Sequence, residues 1–282
     1  MTQKRVAAIH DISGFGKCSL TVALPIISAA GIEVSAIPTA VLSTHTGGIE
    51  GFTYRDLTED MAPFAKHWKS LNLHFNAIYS GFLGSFEQID IVSNIFDMLK
   101  TDDTLIMVDP CMADNGKLYS IYNESMVSGM VKLCRKADII VPNLTEAAFM
   151  LNKPFIEGPY TKKYIEDTLK ELATLGCKKV VITGVYFDDK TLGAASYDCV
   201  KNEITYSFNK IVKGSFHGTG DVFASALLSG ILNGFSLTES TQIAVDFTYN
   251  SIHSTELAQT DRRFGVNFEE NLPNFIKSLK LI

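Results

Sequence analysis

The chain has 282 residues, of which 46% are hydrophobic and 20% are charged, and its formal net charge is −6. This composition is ordinary for a globular protein, and an acidic chain without a basic stripe argues against nucleic acid as a partner. No apolar run approaches the roughly 20 residues that a membrane helix needs, so we expect no membrane span. The five cysteines are scattered without a C-x-x-C pair, which predicts reduced thiols in a cytoplasmic protein and no zinc site.

Short apolar runs alternate with helix-length amphipathic segments along most of the chain. The apolar runs are typical of parallel strands buried on both faces, and they predict strands at Val6–Ile9, Val34–Ala40, Ala77–Gly81, Leu105–Asp109, Ile139–Pro142 and Val180–Gly184. The segments between them predict helices at Ser19–Ala30, Phe86–Lys100, Glu124–Ala137, Thr145–Leu151 and Lys162–Leu175. A hairpin over Ala194–Lys213 and three helices, Val222–Leu232, Leu237–Ala258 and Phe268–Leu279, complete what we expect to be one α/β domain over residues 1–282.

The first predicted strand is followed by His10-Asp11 and then by the glycine-rich stretch "SGFGKCS". Ligands of open α/β sheets bind outside the carboxyl ends of the strands, so we expect Asp11 to face a ligand. The stretch is not a P-loop, because Cys18 follows Gly16-Lys17 and the first required glycine position holds Asp11. It is either one wall of a small-molecule pocket or only a tight strand-to-helix turn.

The stretch "LSTHTGG", residues 42–48, follows the second predicted strand. Its three hydroxyls, one histidine and two glycines suit a loop that contacts a polar heterocycle. A lone histidine is more often structural or solvated, so His45 alone carries little weight.

Two later strands end in acidic motifs, "VDPCMADNGKLY" and "VPNLTEAAFML". Asp109 could hold Mg²⁺ directly or through water, although Asp109-Pro110 is also an ordinary turn sequence. Asn143 or Thr145 could cap the next helix, with Glu146 completing a capping box if the cap is Asn143. The alternative places Glu146 near a metal ion or its waters.

The stretch "GSFHGTGDVFASALLSGIL" joins a polar glycine-rich half to a buried helix that we expect to begin near Asp221 or Val222. The first amides of a helix lack internal partners, and with the helix dipole they favour an anion. Beside such an anion, Asp221 could orient an acceptor hydroxyl and take its proton. The alternative is that Asp221 is only an N-cap and Gly-Thr-Gly only a loop.

The order "DP", "PN-x-x-E" and "GTGD", together with "STHTGG" and "YSGFLGS", resembles the ribokinase-like superfamily and, within it, the vitamin B6 kinases. The resemblance covers roughly residues 5–279. It implies a three-layer α/β/α sandwich with a mainly parallel sheet, and ATP-dependent phosphorylation of the 5′-hydroxymethyl group of pyridoxal, pyridoxine or pyridoxamine. It further implies Mg²⁺, often a monovalent cation such as K⁺, and a homodimer.

The resemblance also assigns roles to individual residues. Asp221 corresponds to the catalytic base, and Gly218, Thr219 and Gly220 to the anion hole. The residues implied on the ATP side are Asp109, Val141, Asn143, Glu146 and Thr183, with Asp109 and Glu146 nearest Mg²⁺. The residues implied on the substrate side are Asp11, His45, Thr46, Gly47 and Phe82. The helix N-terminus should lower the pKa of Asp221 and keep it ionised at neutral pH.

Some positions depart from the B6 kinase pattern. Many pyridoxal kinases have serine where this chain has Asp11, and tyrosine where it has Phe82. Asp11 resembles the aspartate near the start of hydroxymethylpyrimidine kinases, the thiamine-pathway branch of the superfamily, which is the alternative function. A third reading is a nucleotide-binding regulatory protein without catalysis, against which the retention of Asp221 and its glycines argues.

Overall fold

The computed structural model describes residues 3–282, in which helices cover both faces of a nine-stranded sheet. Residues 3–282 contain eleven strands: β1 Arg5–Phe15, β2 Glu33–Thr44, β3 Tyr54–Asp56, β4 Ala77–Ser80, β5 Leu105–Val108, β6 Ala113–Asp114, β7 Lys117–Leu118, β8 Ile139–Ile140, β9 Lys179–Val185, β10 Thr191–Asp198 and β11 Glu203–Lys210. The α-helices are α1 Leu20–Ala29, α2 Thr58–Ser70, α3 Phe86–Leu99, α4 Glu124–Cys134, α5 Leu144–Met150, α6 Lys162–Ala173, α7 Thr219–Leu232, α8 Leu237–Leu257 and α9 Leu272–Ser278.

The large sheet has the strand order β11-β10-β9-β8-β5-β4-β1-β2-β3. Its six central strands, β9 to β2, run parallel, while β3, β10 and β11 pair antiparallel at the two edges. The strands β6 and β7 form a separate two-stranded ribbon. Because the central strands are parallel, their carboxyl ends meet at one edge of the sheet.

Two hydrophobic layers hold the helices against the sheet. On one face α2 to α6 pack around fully buried aromatic residues such as Phe75 and Phe96. On the other face α1, α7, α8 and α9 pack together, with the rings of Phe247 and Phe275 stacked at 4.5 Å. The predicted three-layer α/β/α sandwich with a mainly parallel sheet is therefore confirmed.

All six predicted strands and the hairpin are present, but β1 and β2 extend beyond their predicted ends. The register between them shifts after His10, where β2 carries one extra residue opposite β1. Such a bulge lets a strand continue while it bends. Asp11 was expected just past the end of a strand and instead lies within β1.

The helix α2 and the short strand β3 were not predicted. Pro63 lies inside α2, and only Thr58, Met61 and Ala65 of that helix are buried. The proline does not account for the omission, because the predicted helix α1 also contains one, Pro25. Three buried residues among 13 give only a weak apolar periodicity, and no helix or strand was predicted between β2 and β4.

The helix α7 begins at Thr219, two to three residues earlier than expected. Gly218 is its N-cap residue, so Asp221 occupies the first turn and the N-cap alternative for Asp221 is wrong. Among residues 3–282, no helix is long and apolar enough to cross a membrane.

Candidate active site

A cavity of about 380 Å³ opens at the carboxyl edge of the sheet, between α7 and α8. Nine residues that the sequence singled out line it: Asp109, Val141, Asn143, Glu146, Thr183, Gly218, Thr219, Gly220 and Asp221. The parallel strands and the start of α7 thus bring the predicted nucleotide side and the predicted anion hole together in one place.

The same cavity has an apolar wall that the motifs did not reveal. Leu192 from β10, Val212 after β11, and Val245, Tyr249 and Ile252 from α8 contribute to it. These residues follow ordinary hydrophobic patterns, so in the sequence they are indistinguishable from core positions. Only the packing of α8 beside the hairpin shows that they border an open cavity.

Gly218 begins α7 in the left-handed conformation, with φ 75° and ψ 0°. A Cβ at this position would lie 1.9 Å from the carbonyl oxygen of Lys17, so only glycine fits without displacing that loop. The first amides of α7 have no partners within the helix, and they face the cavity with the positive end of the helix dipole. The arrangement can bind an anion such as a phosphate.

Lys17 takes no part in this anion site. Its ammonium group lies 2.9 Å from both Asn267 Oδ1 and Glu269 Oε2, and it is not among the described residues that line the cavity. The structure therefore agrees that the glycine-rich stretch before α1 is not a P-loop.

Asp221 faces the cavity from the first turn of α7, and its Oδ2 accepts a 2.9 Å hydrogen bond from the amide of Ser19. Burial raises the pKa of Asp221 to about 7, against the effect of the Ser19 amide, and the charge of Asp11 adds to the rise. The expectation that this pKa would be lowered is wrong, because loss of hydration raises it more than the Ser19 amide lowers it.

Asp109 and Glu146 are also buried, with 7% and 2% of their surfaces exposed. Burial and the neighbouring charges of Glu146 and Asp221 raise the pKa of Asp109 well above its usual range. Burial raises the pKa of Glu146 to about 7, although backbone amides oppose the shift. Among the described residues that line the cavity, Lys210 is the one lysine or arginine, so carboxyl groups outnumber these basic side chains there.

This excess of carboxylates fits a divalent cation. Mg²⁺ prefers oxygen ligands, keeps several waters, and commonly uses one or two carboxylates together with substrate phosphates. No group of three or more His, Cys, Asp or Glu side chains in the described part of the chain is arranged to hold a metal by itself. The residues therefore suit an ion that is shared with a bound nucleotide.

Glu146 also has a clear structural role. Its Oε2 accepts from the amide of Asn143 at 2.8 Å, and its Oε1 accepts from the amide of Met112 at 3.0 Å. The Asn143 side chain accepts from the Glu146 amide at 2.9 Å, so the predicted capping box with Asn143 as the cap is confirmed. A role near the metal ion stays a prediction.

The variant Glu146→Gln separates these two roles. Because one of its two backbone donors would face the new NH₂ group, we expect it to lose about 1 kcal/mol of stability. If Glu146 also acts at the metal, the Mg²⁺ concentration for half-maximal rate rises severalfold. Thermal denaturation and a Mg²⁺ titration of the kinase rate measure the two effects.

Glu239 provides a matched control, because it completes the same kind of capping box with Ser236 at the exposed start of α8. Glu239→Gln should lower stability without moving the Mg²⁺ titration. An unchanged titration for Glu146→Gln would reduce that residue to a helix cap.

The predicted acceptor-side residues are not part of the wall of this cavity. None of Asp11, His45, Thr46, Gly47 and Phe82 is among the described residues that line it. Thr46 is exposed at the tip of its loop, and the Phe82 ring lies 6.2 Å from that of Tyr122. Their roles toward a substrate stay predictions.

His45 connects three loops. Its Nδ1 accepts from the Gly47 amide at 3.1 Å, its Nε2 contacts the carbonyl oxygen of Arg263, and its ring lies 5.3 Å from that of His217. Burial lowers the pKa of His45, partly offset by the Arg263 carbonyl. A neutral His45 with its proton on Nε2 satisfies both contacts and ties the "STHTGG" loop to the start of the anion hole.

Asp11 is 4% exposed, and hydroxyl donors occupy both of its oxygens. Ser19 Oγ donates to Oδ1 at 2.6 Å and Ser13 Oγ donates to Oδ2 at 3.1 Å. Burial raises the pKa of Asp11, and the two hydroxyls oppose the shift. Ser19 itself has φ 54° and ψ −132°, a conformation that costs a non-glycine residue about 1–3 kcal/mol.

A family model described as phosphomethylpyrimidine kinase matches residues 26–266 of the chain. Among solved structures, the chain resembles a Bacteroides thetaiotaomicron protein provisionally assigned as a phosphomethylpyrimidine kinase and crystallised with pyridoxal. That structure is 36% identical, with a TM-score of 0.92, over 97% of this chain and 96% of the other. Pyridoxal kinase from Lactobacillus plantarum is 28% identical, with a TM-score of 0.89, over 98% of each chain.

A Bacillus subtilis enzyme, hydroxymethylpyrimidine/phosphomethylpyrimidine kinase, is also similar. It is 26% identical over 227 residues, which are 79% of this chain and 79% of that enzyme. The relatives therefore include proteins named as kinases of pyridoxal and proteins named as kinases of hydroxymethylpyrimidine.

Proposed function

Because the chain belongs to the phosphomethylpyrimidine kinase family and is an ATP-dependent small-molecule kinase, we propose that its acceptor is the 5′-hydroxymethyl group of a B6 vitamer. The observation that carries this proposal is the cavity in which Asp221, the first amides of α7, Asp109 and Glu146 meet. The pyridoxal bound to the Bacteroides thetaiotaomicron relative supports the choice of acceptor.

In the proposed reaction, the acceptor hydroxyl oxygen bonds to the γ-phosphorus of ATP as the bond from that phosphorus to the ADP oxygen breaks. Asp221 orients the hydroxyl and takes its proton. The amides of residues 218–221 gather the charge on the transferring phosphoryl group. A base with a pKa of about 7 is better matched to neutral pH than an ordinary aspartate.

The nucleotide side of the cavity supports the same proposal. The apolar wall formed by Leu192, Val212 and Val245 suits the base and ribose of a nucleotide, and the opposite end leads to the anion hole. Asp109 and Glu146 would hold Mg²⁺, directly or through water. When bound, the ion would neutralise charge on the phosphates. Dependence on a monovalent cation such as K⁺ stays a prediction.

A hydroxymethylpyrimidine is the second candidate acceptor, favoured by the description of the family model and by the Bacillus subtilis relative. The sequence feature that favoured this acceptor was Asp11, whose carboxylate could pair with a protonated ring nitrogen or accept from an amino group. In the structure Ser13 and Ser19 engage that carboxylate, which weakens this argument for a pyrimidine.

A substrate panel tests the proposal. We expect ADP release in a coupled assay with pyridoxal, pyridoxine or pyridoxamine, and a kcat/KM at least about tenfold lower with hydroxymethylpyrimidine. Mass spectrometry of the product should show one added phosphate. A preference for hydroxymethylpyrimidine would assign the chain to the thiamine branch. Tight ATP binding without phosphoryl transfer to any of these four compounds would support a nucleotide-binding regulatory protein without catalysis.

The assembly proposed with this function is a homodimer. Phe15, Val41 and Tyr54, on the neighbouring strands β1, β2 and β3, expose 53%, 41% and 46% of their surfaces. Exposed apolar side chains at one end of a sheet are typical of an interaction surface. A second copy of the chain would cover them.

A further inference from the structure

Ser19 connects two carboxylates, the buried Asp11 and the partly buried Asp221, through two different donors. Its hydroxyl donates to Asp11 Oδ1 at 2.6 Å, and its backbone amide donates to Asp221 Oδ2 at 2.9 Å. Ser19 is itself only 5% exposed. A continuous path of hydrogen bonds therefore runs from β1 to the first turn of α7, where the acceptor hydroxyl is expected.

The backbone of Ser19 is strained at the point that carries the second bond. Its φ of 54° and ψ of −132° belong to a region that glycine adopts freely and other residues avoid. Ser19 occupies the N-cap position of α1, yet its side chain makes no capping hydrogen bond in the described structure. The hydroxyl donates to Asp11 instead, while the amide of the same strained residue donates to Asp221.

Asp11 has little freedom to do anything else. It is 4% exposed, each of its oxygens accepts a serine hydroxyl, and it does not belong to the described lining of the main cavity. A carboxylate that recognises a ring nitrogen or an amino group needs an oxygen free to face that group. The contacts of Asp11 therefore suit a residue that orients neighbouring side chains, not one that binds a substrate.

We propose that Asp11 is a positioning residue for Asp221: it fixes Ser19, and the Ser19 amide fixes the carboxylate that receives the acceptor proton. This inference rests on the proposed function of Asp221 as the base. It also explains an aspartate at a position where many pyridoxal kinases have serine, without giving it a role in ring recognition.

The test uses the full-length enzyme with ATP and pyridoxal, or hydroxymethylpyrimidine if the panel shows that to be the better acceptor. Ser19→Gly keeps the amide and adopts the same φ without strain, so we expect its kcat within about threefold of the parent. Ser19→Ala keeps the strain but loses the bond to Asp11, so its kcat should fall about tenfold or more.

Variants of Asp11 separate positioning from substrate contact. Asp11→Ala should lower kcat about tenfold with the acceptor KM within about threefold. In the double variant with Ser19→Gly, most of the lost kcat should return, because glycine adopts the backbone conformation of residue 19 without the bond to Asp11. Asp11→Asn still offers an oxygen to Ser19 and an NH₂ to Ser13, so it should keep kcat within about threefold.

Ser13→Ala is the control, since it removes the other hydroxyl from Asp11 without touching the bond to Asp221, and it should cost less than Ser19→Ala. Thermal denaturation checks that each variant is folded. If Asp11→Ala does not fold, the contrast between Ser19→Ala and Ser19→Gly and the kinetics of Asp11→Asn still decide.

Three results would overturn the inference. The first is a rise in the acceptor KM of tenfold or more in Asp11→Ala or Asp11→Asn with unchanged kcat, which would make Asp11 a substrate contact. The second is equal damage by Ser19→Gly and Ser19→Ala. The third is additivity of Asp11→Ala and Ser19→Gly. Asp221→Asn in the same assay separates failure of the proposed function from failure of this inference. Normal turnover in that variant would refute the role of Asp221 as the base, on which the positioning role of Asp11 rests.

Discussion

Replacing Asp221 with asparagine is expected to lower kcat by about 100-fold or more, the usual scale for loss of a general base. Asparagine has nearly the same shape, and its carbonyl oxygen can still accept from the Ser19 amide, so the first turn of α7 should stay in place. ATP affinity should therefore stay within about twofold of the parent. Steady-state kinetics and calorimetric titration with ATP measure the two quantities.

The pH dependence provides a second readout of the same group. Since burial raises the pKa of Asp221 to about 7, the ionised carboxylate that can accept a proton becomes more abundant as the pH rises through that value. For the parent enzyme, kcat/KM should increase with pH between about pH 6 and 8. The variant should lose the part of this dependence that Asp221 causes, while Glu146, whose pKa burial also raises to about 7, still titrates in this range.

Asp97→Asn is a suitable control, because it removes the same charge from α3, where the side chain of Asp97 is 66% exposed and pairs with Lys136. Its kinetic constants should equal those of the parent. Near-normal turnover in Asp221→Asn would refute the role of Asp221 as the base and leave the carboxylate with a structural role only.

The sequence predicts the layers of this fold well because the central strands are continuous apolar runs with little ambiguity. It also predicts that Gly218–Asp221, Asp109 and Glu146 meet in one cavity, since each follows a strand or begins a helix. The helix α2 was missed because only three of its 13 side chains are buried, which leaves a weak apolar periodicity.

Other properties depend on what surrounds a residue in space. The extra residue on β2 that keeps Asp11 inside β1 has no local signature. The pKa of Asp221 depends on the balance between burial and the hydrogen bond from the Ser19 amide, and only the folded structure gives both. The strained backbone of Ser19 is likewise invisible in "GKCSLT", where a serine before a helix reads as an ordinary N-cap.

Gly218→Ala is expected to be nearly as damaging as the loss of the base. The new Cβ would overlap the Lys17 carbonyl oxygen, at 1.9 Å, and alanine would resist the φ of 75°. Either the loop of residues 16–18 or the start of α7 must move, and the amides of the anion hole then no longer point at the transferring phosphoryl group. Losing one such donor typically lowers turnover by about 100- to 1000-fold, and we expect kcat/KM to fall on that scale.

Gly234→Ala separates the anion hole from backbone strain. Gly234 follows the other end of α7 with φ 89°, and no atom lies within 4 Å of the position where its Cβ would be. The alanine there should lower the melting temperature, since it also resists a positive φ, but leave kcat and KM unchanged. Because both glycines flank the same helix with similar φ, a kinetic defect confined to Gly218→Ala would come from the contact with Lys17 and the displaced amides. Normal kinetics in a folded Gly218→Ala enzyme would mean that the first turn of α7 does not hold the transferring phosphoryl group.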